Sequence, residues 1–330
     1  MVALLHQEKL TFTTAGFPFP PGLKTMKYLI TIVGPTAIGK TSLSIALAQH
    51  FHCDIISCDS RQFFEEMRIG TAVPTTEELA GAPHHFIQNK SIFENYTVGD
   101  FEKEAIAKLD ELFLTNDYVV MVGGSGLYVD AVLKGFDEFP EIDYQVREEI
   151  QSKYDNLGIV YLQQQLEVLD NDYFKELKTS NPQTLQNPQR MMRFVEVCIG
   201  TGKPYSSFLN LKKNTRNFTP ILIGLEAERS VIYNRINQRV DIMMNEGLLA
   251  EAKELLPHKN LNALQTVGYR ELFSHFESKI SLEFAIEEIK KNTRRFAKRQ
   301  LTWFKRNEQT KWFDYLTDRN KIIEYIKEKL

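Results

Sequence analysis

"GPTAIGKT", Gly34 to Thr41, follows the apolar run "YLITIV" of Tyr28 to Val33 and opens into "KTSLSIALAQHF". The first run is short, apolar and rich in β-branched residues, which reads as a buried strand; the last spaces Leu43, Ala46, Leu47 and Phe51 at helical intervals. Between them stands the pattern G-x-x-x-x-G-K-[ST], which chance produces in roughly one per cent of chains of this length. Strand, glycine loop and helix together form the context in which that pattern holds phosphate. The glycines let successive N–H groups turn inward on phosphate oxygens, at the positive end of a helix dipole. Gly34, Pro35, Thr36, Ala37, Ile38, Gly39, Lys40 and Thr41 are therefore the candidate phosphate-binding residues. Lys40 adds a full charge and Thr41 a hydroxyl for Mg²⁺.

Outward from this loop, short apolar runs alternate with helical stretches. "CDIISCDS", Cys53 to Ser60, is a second short strand ending at Asp59 and Ser60; a helix is expected around Val98 to Leu114; "DYVVMVGGSGLY" is a third strand running into glycines. Strand and helix in alternation mean a parallel sheet with right-handed crossovers. Ligands in such sheets sit beyond the carboxyl ends of the strands. The phosphate loop, the Asp59–Ser60 tip and the Gly123–Tyr128 turn are thus expected to converge. From about Pro140 the chain reads as helices rich in Glu, Gln and Leu, until the apolar strand "TPILIGLE" at Thr219 to Glu226; helices are expected from there to the C-terminus. The predicted fold is α/β: a P-loop NTPase-like parallel sheet flanked by helices, formed by residues 26–139 and 206–330, with a helical insertion domain at 140–205.

Composition narrows the class. The chain of 330 residues is 43% hydrophobic and 25% charged, ordinary for a globular protein. A net charge of −3 means that any basic surface must be local. Cys53, Cys58 and Cys198 show no C-x-x-C spacing, so neither a disulfide framework nor a zinc site is implied, and a reducing, cytoplasmic setting is expected. No apolar stretch approaches the roughly 20 residues of a membrane span. Residues 1–25 lack the charged start and apolar middle of a signal peptide. They are expected to be a disordered tail, or to precede a true start at Met26. A monomer is expected.

What the loop holds is a separate question. ATPases and GTPases follow it with a strand ending in Asp, which orders Mg²⁺ and the attacking water. Here the strand Tyr118 to Val122 runs into Gly123-Gly124-Ser125, and the available carboxylate is Asp59 on the neighbouring strand. The residues alone leave two choices: a kinase-like phosphoryl transferase, or a transferase whose donor is another diphosphate.

Several stretches together resemble the tRNA dimethylallyltransferase (tRNA isopentenyltransferase) family, bacterial type: "GPTAIGKT", "DSRQFF" with "IGTAVP", "PHHFI", "YTVGDF", "GGSGLY", "NPQRMMRFVEV", "TGKP", "RINQRVDIMMNEGLLAE", "QTVGYREL" and "RRFAKRQLTWF". They run in order from the phosphate loop to Phe304, nearly all the chain after the tail. The resemblance implies transfer of a dimethylallyl group from dimethylallyl diphosphate to N6 of the adenosine just 3′ of the anticodon, with Mg²⁺ as cofactor and the tRNA anticodon stem-loop as partner. The loop would then cradle the diphosphate of an allylic donor, and no acid after Val122 is needed.

The departing diphosphate gathers negative charge, which Lys40, the loop amides and an arginine of "RINQRV" would meet. Arg235 and Arg239 are one helical turn apart and share a face; Arg239 is favoured, and an exposed salt bridge is the bland alternative for either. Asp59 matches the family's catalytic aspartate and is the candidate base; Thr36 matches the threonine beside donor and acceptor. The acceptor base must leave its stack to reach such a site. Ser60, Arg61 and Gln62 would read that nucleotide, and Ser125 and Arg147 match tRNA-contact positions. Gln189, Arg190, Met191, Met192 and Arg193 form the matching tRNA-contact helix, with Gln189, Arg190 and Arg193 on one face. Lys290 to Arg306 carries eight Lys or Arg and no acid, with Phe296, Trp303 and Phe304 interleaved, a footprint of RNA binding. Ile38 stands where the family has a small residue, and Arg61, Phe63 and Phe64 replace a more familiar run. Two rivals stay open on the residues alone: an ATP-dependent small-molecule kinase, and a non-catalytic RNA-binding protein.

Overall fold

Every residue of β1 (Tyr28–Val33) is buried, as a strand covered on both faces requires. The computed structural model describes residues 26–137, 139–209 and 215–330; the tail expected before Met26 lies outside them. The phosphate loop leads from β1 into α1 (Lys40–Phe51), and β2 (Ile55–Ser57), α2 (Thr76–Ala80) and β3 (His84–His85) follow. Next come α3 (Val98–Leu112), capped by a reciprocal Thr97–Asp100 box, then β4 (Tyr118–Val122) and α4 (Gly126–Lys134).

The insertion consists of α5 (Tyr144–Leu157), α6 (Ile159–Leu169), α7 (Asn171–Ser180) and α8 (Pro188–Thr201). These helices close on a core of their own, including Ile150, Leu162, Leu166, Phe174, Met191 and Val195. Asn187 caps α8 by accepting from Arg190 N at 3.2 Å, with Pro188 at the first helical position. The chain returns to the sheet as β5 (Thr219–Glu226) and continues through α9 (Arg229–Asn245), α10 (Leu248–Leu255), α11 (Tyr269–Phe276), α12 (Leu282–Phe304), β6 (Lys311–Asp314) and α13 (Arg319–Lys327).

The six strands lie in the order β3-β2-β4-β1-β5-β6, every pair parallel. Ile30, Ile32 and Ile223 pack on one face against Leu47, Ile232 and Ile236; Leu29, Val119 and Met121 pack on the other against Phe101, Leu109 and Phe304. The expectation of helices alone after β5 is corrected by β6, which adds a parallel edge strand. Its four residues are too few to show a periodic pattern. It is held instead by a distant contact, Trp312 lying where a Cβ on Gly224 would meet its ring at 2.5 Å. The parallel order brings the ends of β1, β2 and β4 to one edge, where the site forms.

Candidate active site

Gly34 adopts φ +147°, and a Cβ there would come within 2.6 Å of Leu225 O, so close backbone approach demands glycine. Ile38 turns down from the loop into the core and is 2% exposed. The larger side chain therefore anchors the loop by packing into the core cluster with Leu43 and Leu47. Lys40 begins α1, and its Nζ donates to Pro35 O at 2.8 Å. Burial lowers the Lys40 pKa to about 8; Asp59 pulls it back up and Arg239 pushes it further down. From α9, Arg235 Nε donates to Ala37 O at 2.6 Å and Arg239 Nη1 donates to Thr36 Oγ1 at 3.1 Å. Burial also lowers the Arg239 pKa, with Asp59 opposing. Three cations thus meet at the loop, two of them desolvated, which is where an anion gains most.

Asp59 leaves the end of β2, and its Oδ1 accepts from Arg61 N at 3.2 Å. The tip is tied to the turn after β4: Ser60 N donates to Ser125 Oγ at 3.1 Å, and the two hydroxyls lie 3.0 Å apart. Arg61 Nη1 donates to Asn262 O and Ala263 O at 3.0 and 2.9 Å, and Gln62 Nε2 donates to Thr71 O and Ala72 O at 3.1 and 2.9 Å. Both side chains, expected to read a nucleotide, line the cavities described below, with Arg61 Nη1 and Gln62 Nε2 held by backbone carbonyls. Phe63 and Phe64 are buried beneath. Burial, aided by Asp59, pushes the neighbouring Cys58 thiol far up, so it offers no thiolate.

Two cavities meet at these residues. The first, about 440 Å³, is lined by the phosphate loop with Lys40, Thr41, Asp59, Arg235 and Arg239. The second, about 540 Å³, is lined by Ser60, Arg61 and Ser125 together with Ile236, Met243, Phe296 and Trp303, a more apolar wall. Thr36, Asp59, Thr71 and Arg239 line both. The arrangement can hold a polyanion on one side and a flat, largely apolar group on the other, with a carboxylate between them.

The model of the IPP transferase family matches residues 62–307. The chain is 76% identical over 305 residues to the tRNA dimethylallyltransferase of Flavobacterium johnsoniae, covering 92% of this chain and 99% of that one. It is also similar to the solved tRNA isopentenylpyrophosphate transferase of Bacillus halodurans, at 36% identity and a TM-score of 0.66, covering 92% of this chain and 95% of that one. A eukaryotic dimethylallyltransferase solved acting on tRNA aligns at 27% identity and a TM-score of 0.66, covering 88% of this chain and 74% of that one. The chain belongs to the IPP transferase family.

The residue with the largest part at the junction that the sequence did not single out is Gln300. It is 5% exposed; its Oε1 accepts from Thr36 N and its Nε2 donates to Gly124 O, both at 2.9 Å. It therefore joins the phosphate loop to the glycine turn beside Asp59. The available signal was its spacing from Ala297 and Phe304, which places an uncharged polar residue on the buried face of a basic helix. Trp303, from the same helix, donates to Asp130 Oδ2 at 3.0 Å.

The remaining sequence candidates lie on the insertion and on α12. Gln189 and Arg190 are exposed and Arg193 is half-buried, whereas Met191 and Met192 are 0% and 4% exposed within the insertion core. The outward face of this helical turn narrows to Gln189, Arg190 and Arg193. Arg147 projects from α5 with its side chain 45% exposed. In the basic stretch, Lys290 pairs with Asp241 and Glu287, Lys291 with Glu288, and Lys305 with Glu226, while Arg294 donates to Asn237 Oδ1. Arg295 donates to Asn292 Oδ1 at 3.4 Å, so five of the eight basic side chains have a side-chain partner within the protein. Arg299 lines the second cavity and lies over Phe296 at 5.7 Å.

Proposed function

We propose that the protein transfers a dimethylallyl group from dimethylallyl diphosphate to N6 of the adenosine 3′-adjacent to the anticodon in tRNA. The observation that carries this reading is the wall shared by the two cavities, where Thr36, Asp59 and Arg239 stand between a cationic phosphate loop and an apolar chamber. The donor diphosphate lies in the first cavity on the loop N–H groups, Lys40, Arg235 and Arg239. The extruded adenine enters the second from the other side, between Phe296 and Trp303. The amine nitrogen forms a bond to the allylic carbon as the C–O bond breaks. Diphosphate departs with that electron pair, and Asp59 accepts the proton lost from nitrogen. Lys40 and Arg239 meet the charge that develops on the leaving oxygens.

Mg²⁺ is proposed as cofactor. The described residues hold no cluster of three His, Cys, Asp or Glu, but Thr41 lines the phosphate cavity. That donor set suits Mg²⁺, which takes one or two protein oxygens and completes its shell with phosphate oxygens and water. When bound it supplies charge neutralisation on the diphosphate. The reading includes a monomeric protein acting in the cytoplasm; no helix of the described residues is long and apolar enough to cross a membrane. The kinase reading is disfavoured because β4 runs directly into Gly123 and Gly124 with no acid at its end, which leaves Asp59 as the carboxylate beside the loop. The test is incubation with tRNA, Mg²⁺ and labelled dimethylallyl diphosphate followed by nucleoside analysis. Label in N6-(dimethylallyl)adenosine is the expected result; absence of label in any nucleoside overturns the proposal.

A further inference from the structure

The insertion carries a buried carboxylate that none of the steps above uses. Glu196 lies on α8 between Val195 and Val197, and it is 6% exposed. Its Oε2 accepts from Arg147 Nη1 at 2.8 Å and its Oε1 from Arg193 Nη1 at 3.3 Å, one oxygen for each arginine and one arginine from each of two helices. The carboxylate-bearing side chain is 8% exposed, but those of the two arginines are 45% and 41% exposed. The negative charge is therefore inside and the positive ends face out. Arg193 is held on another side as well, over the Phe139 ring at 5.5 Å.

A buried ion pair is a weak device for stability, because apolar residues of similar volume serve as well or better. It is a strong device for fixing direction. A guanidinium has five N–H donors in a rigid fork, and one bond to Glu196 leaves the others to face solvent. We propose that Glu196 is a positioning residue for RNA. It braces Arg147 and Arg193 into one preformed pair whose outward N–H groups take the phosphates of the tRNA backbone. This rests on the reading of the protein as a tRNA transferase.

Charge alone and positioning predict opposite signs. If Glu196 acted only through its charge, removing it would strengthen attraction for a polyanion and steepen the salt dependence. If it positions, removing it leaves two long side chains to be ordered at binding, which weakens affinity about tenfold. The experiment compares wild type, Glu196→Gln, Arg147→Ala/Arg193→Ala and the triple variant, measuring tRNA affinity and steady-state kinetics on the full chain. In Glu196→Gln the tRNA Kd and KM should rise about tenfold, with kcat and the donor KM unchanged. In the background lacking both arginines, the same change should leave tRNA affinity within about twofold, because a residue acting through its partners has no effect without them.

Tighter or unchanged binding in Glu196→Gln overturns the proposal, as does a similar loss with the arginines absent. Should Glu196→Gln not fold, Glu196→Asp keeps the charge but draws the carboxylate back by one methylene. It carries the same expectation of weaker tRNA binding, and unaltered binding in it overturns the proposal. Wild-type binding is the control that separates the two readings. Its absence refutes the tRNA reading and this one with it, whereas wild-type binding with an unaffected variant refutes only the role of Glu196.

Discussion

Lys40 offers a titration that tests the proposed donor site directly. Burial lowers its pKa to about 8, and an arriving diphosphate places negative charge beside it, which favours the charged form. The donor-bound pKa therefore lies well above the free one. Affinity is fully present below the free value and is lost as pH rises through it. With a free pKa near 8, roughly nine-tenths of the free protein is protonated at pH 7 and roughly one-tenth at pH 9, so the donor Kd should rise about tenfold between them. The donor's own last phosphoryl ionisation, at about pH 6, lies outside this window. Calorimetry in two buffers of different ionisation enthalpy should show uptake of about half a proton at pH 8. Lys40→Arg, charged throughout, should flatten both. Stability moves the other way. Between about pH 8 and 10.5 the unfolded chain holds more protons at this lysine than the folded one, so this group makes folding more favourable as pH rises. A donor Kd that stays flat from pH 7 to 9 without proton uptake would refute the reasoning.

Asp59→Asn keeps the size and a hydrogen-bonding oxygen but cannot take a proton, so kcat should fall about 10²–10⁴-fold while both KM values change only modestly; near-normal kcat in steady-state assays would remove the base role. Gln300→Leu strands Thr36 N–H and Gly124 O, and should cost about 1–3 kcal/mol in urea unfolding together with a loss of kcat; unchanged stability and turnover would show that the bridge to the phosphate loop is dispensable.

Much of the geometry of the candidate site was legible because its parts are local. β1, α1, β4 and β5 have the bounds that the apolar runs imply, since a strand buried on both faces must be apolar throughout. The phosphate loop declares itself through glycine spacing, and the convergence of Asp59 and Ser125 on it follows from parallel strand order. Other features depend on partners far along the chain. β6 is a strand because β5 gives it a partner, and Gln300 matters because it reaches Thr36, 264 residues away. Charge was the least legible property. Arg61 and Lys290 look alike in sequence to cations that could grip RNA, yet one is bonded to backbone carbonyls and the other is paired with acids. The sequence by itself determined β1, α1, β4 and β5, the glycine loop between the first two, and the family, because those rest on local periodicity and short spacings. Only the tertiary structure decided which side chains are already engaged and which face a substrate. A hydrogen-bonding group is committed by whatever packing brings within about 3 Å of it, and no local pattern encodes that neighbour.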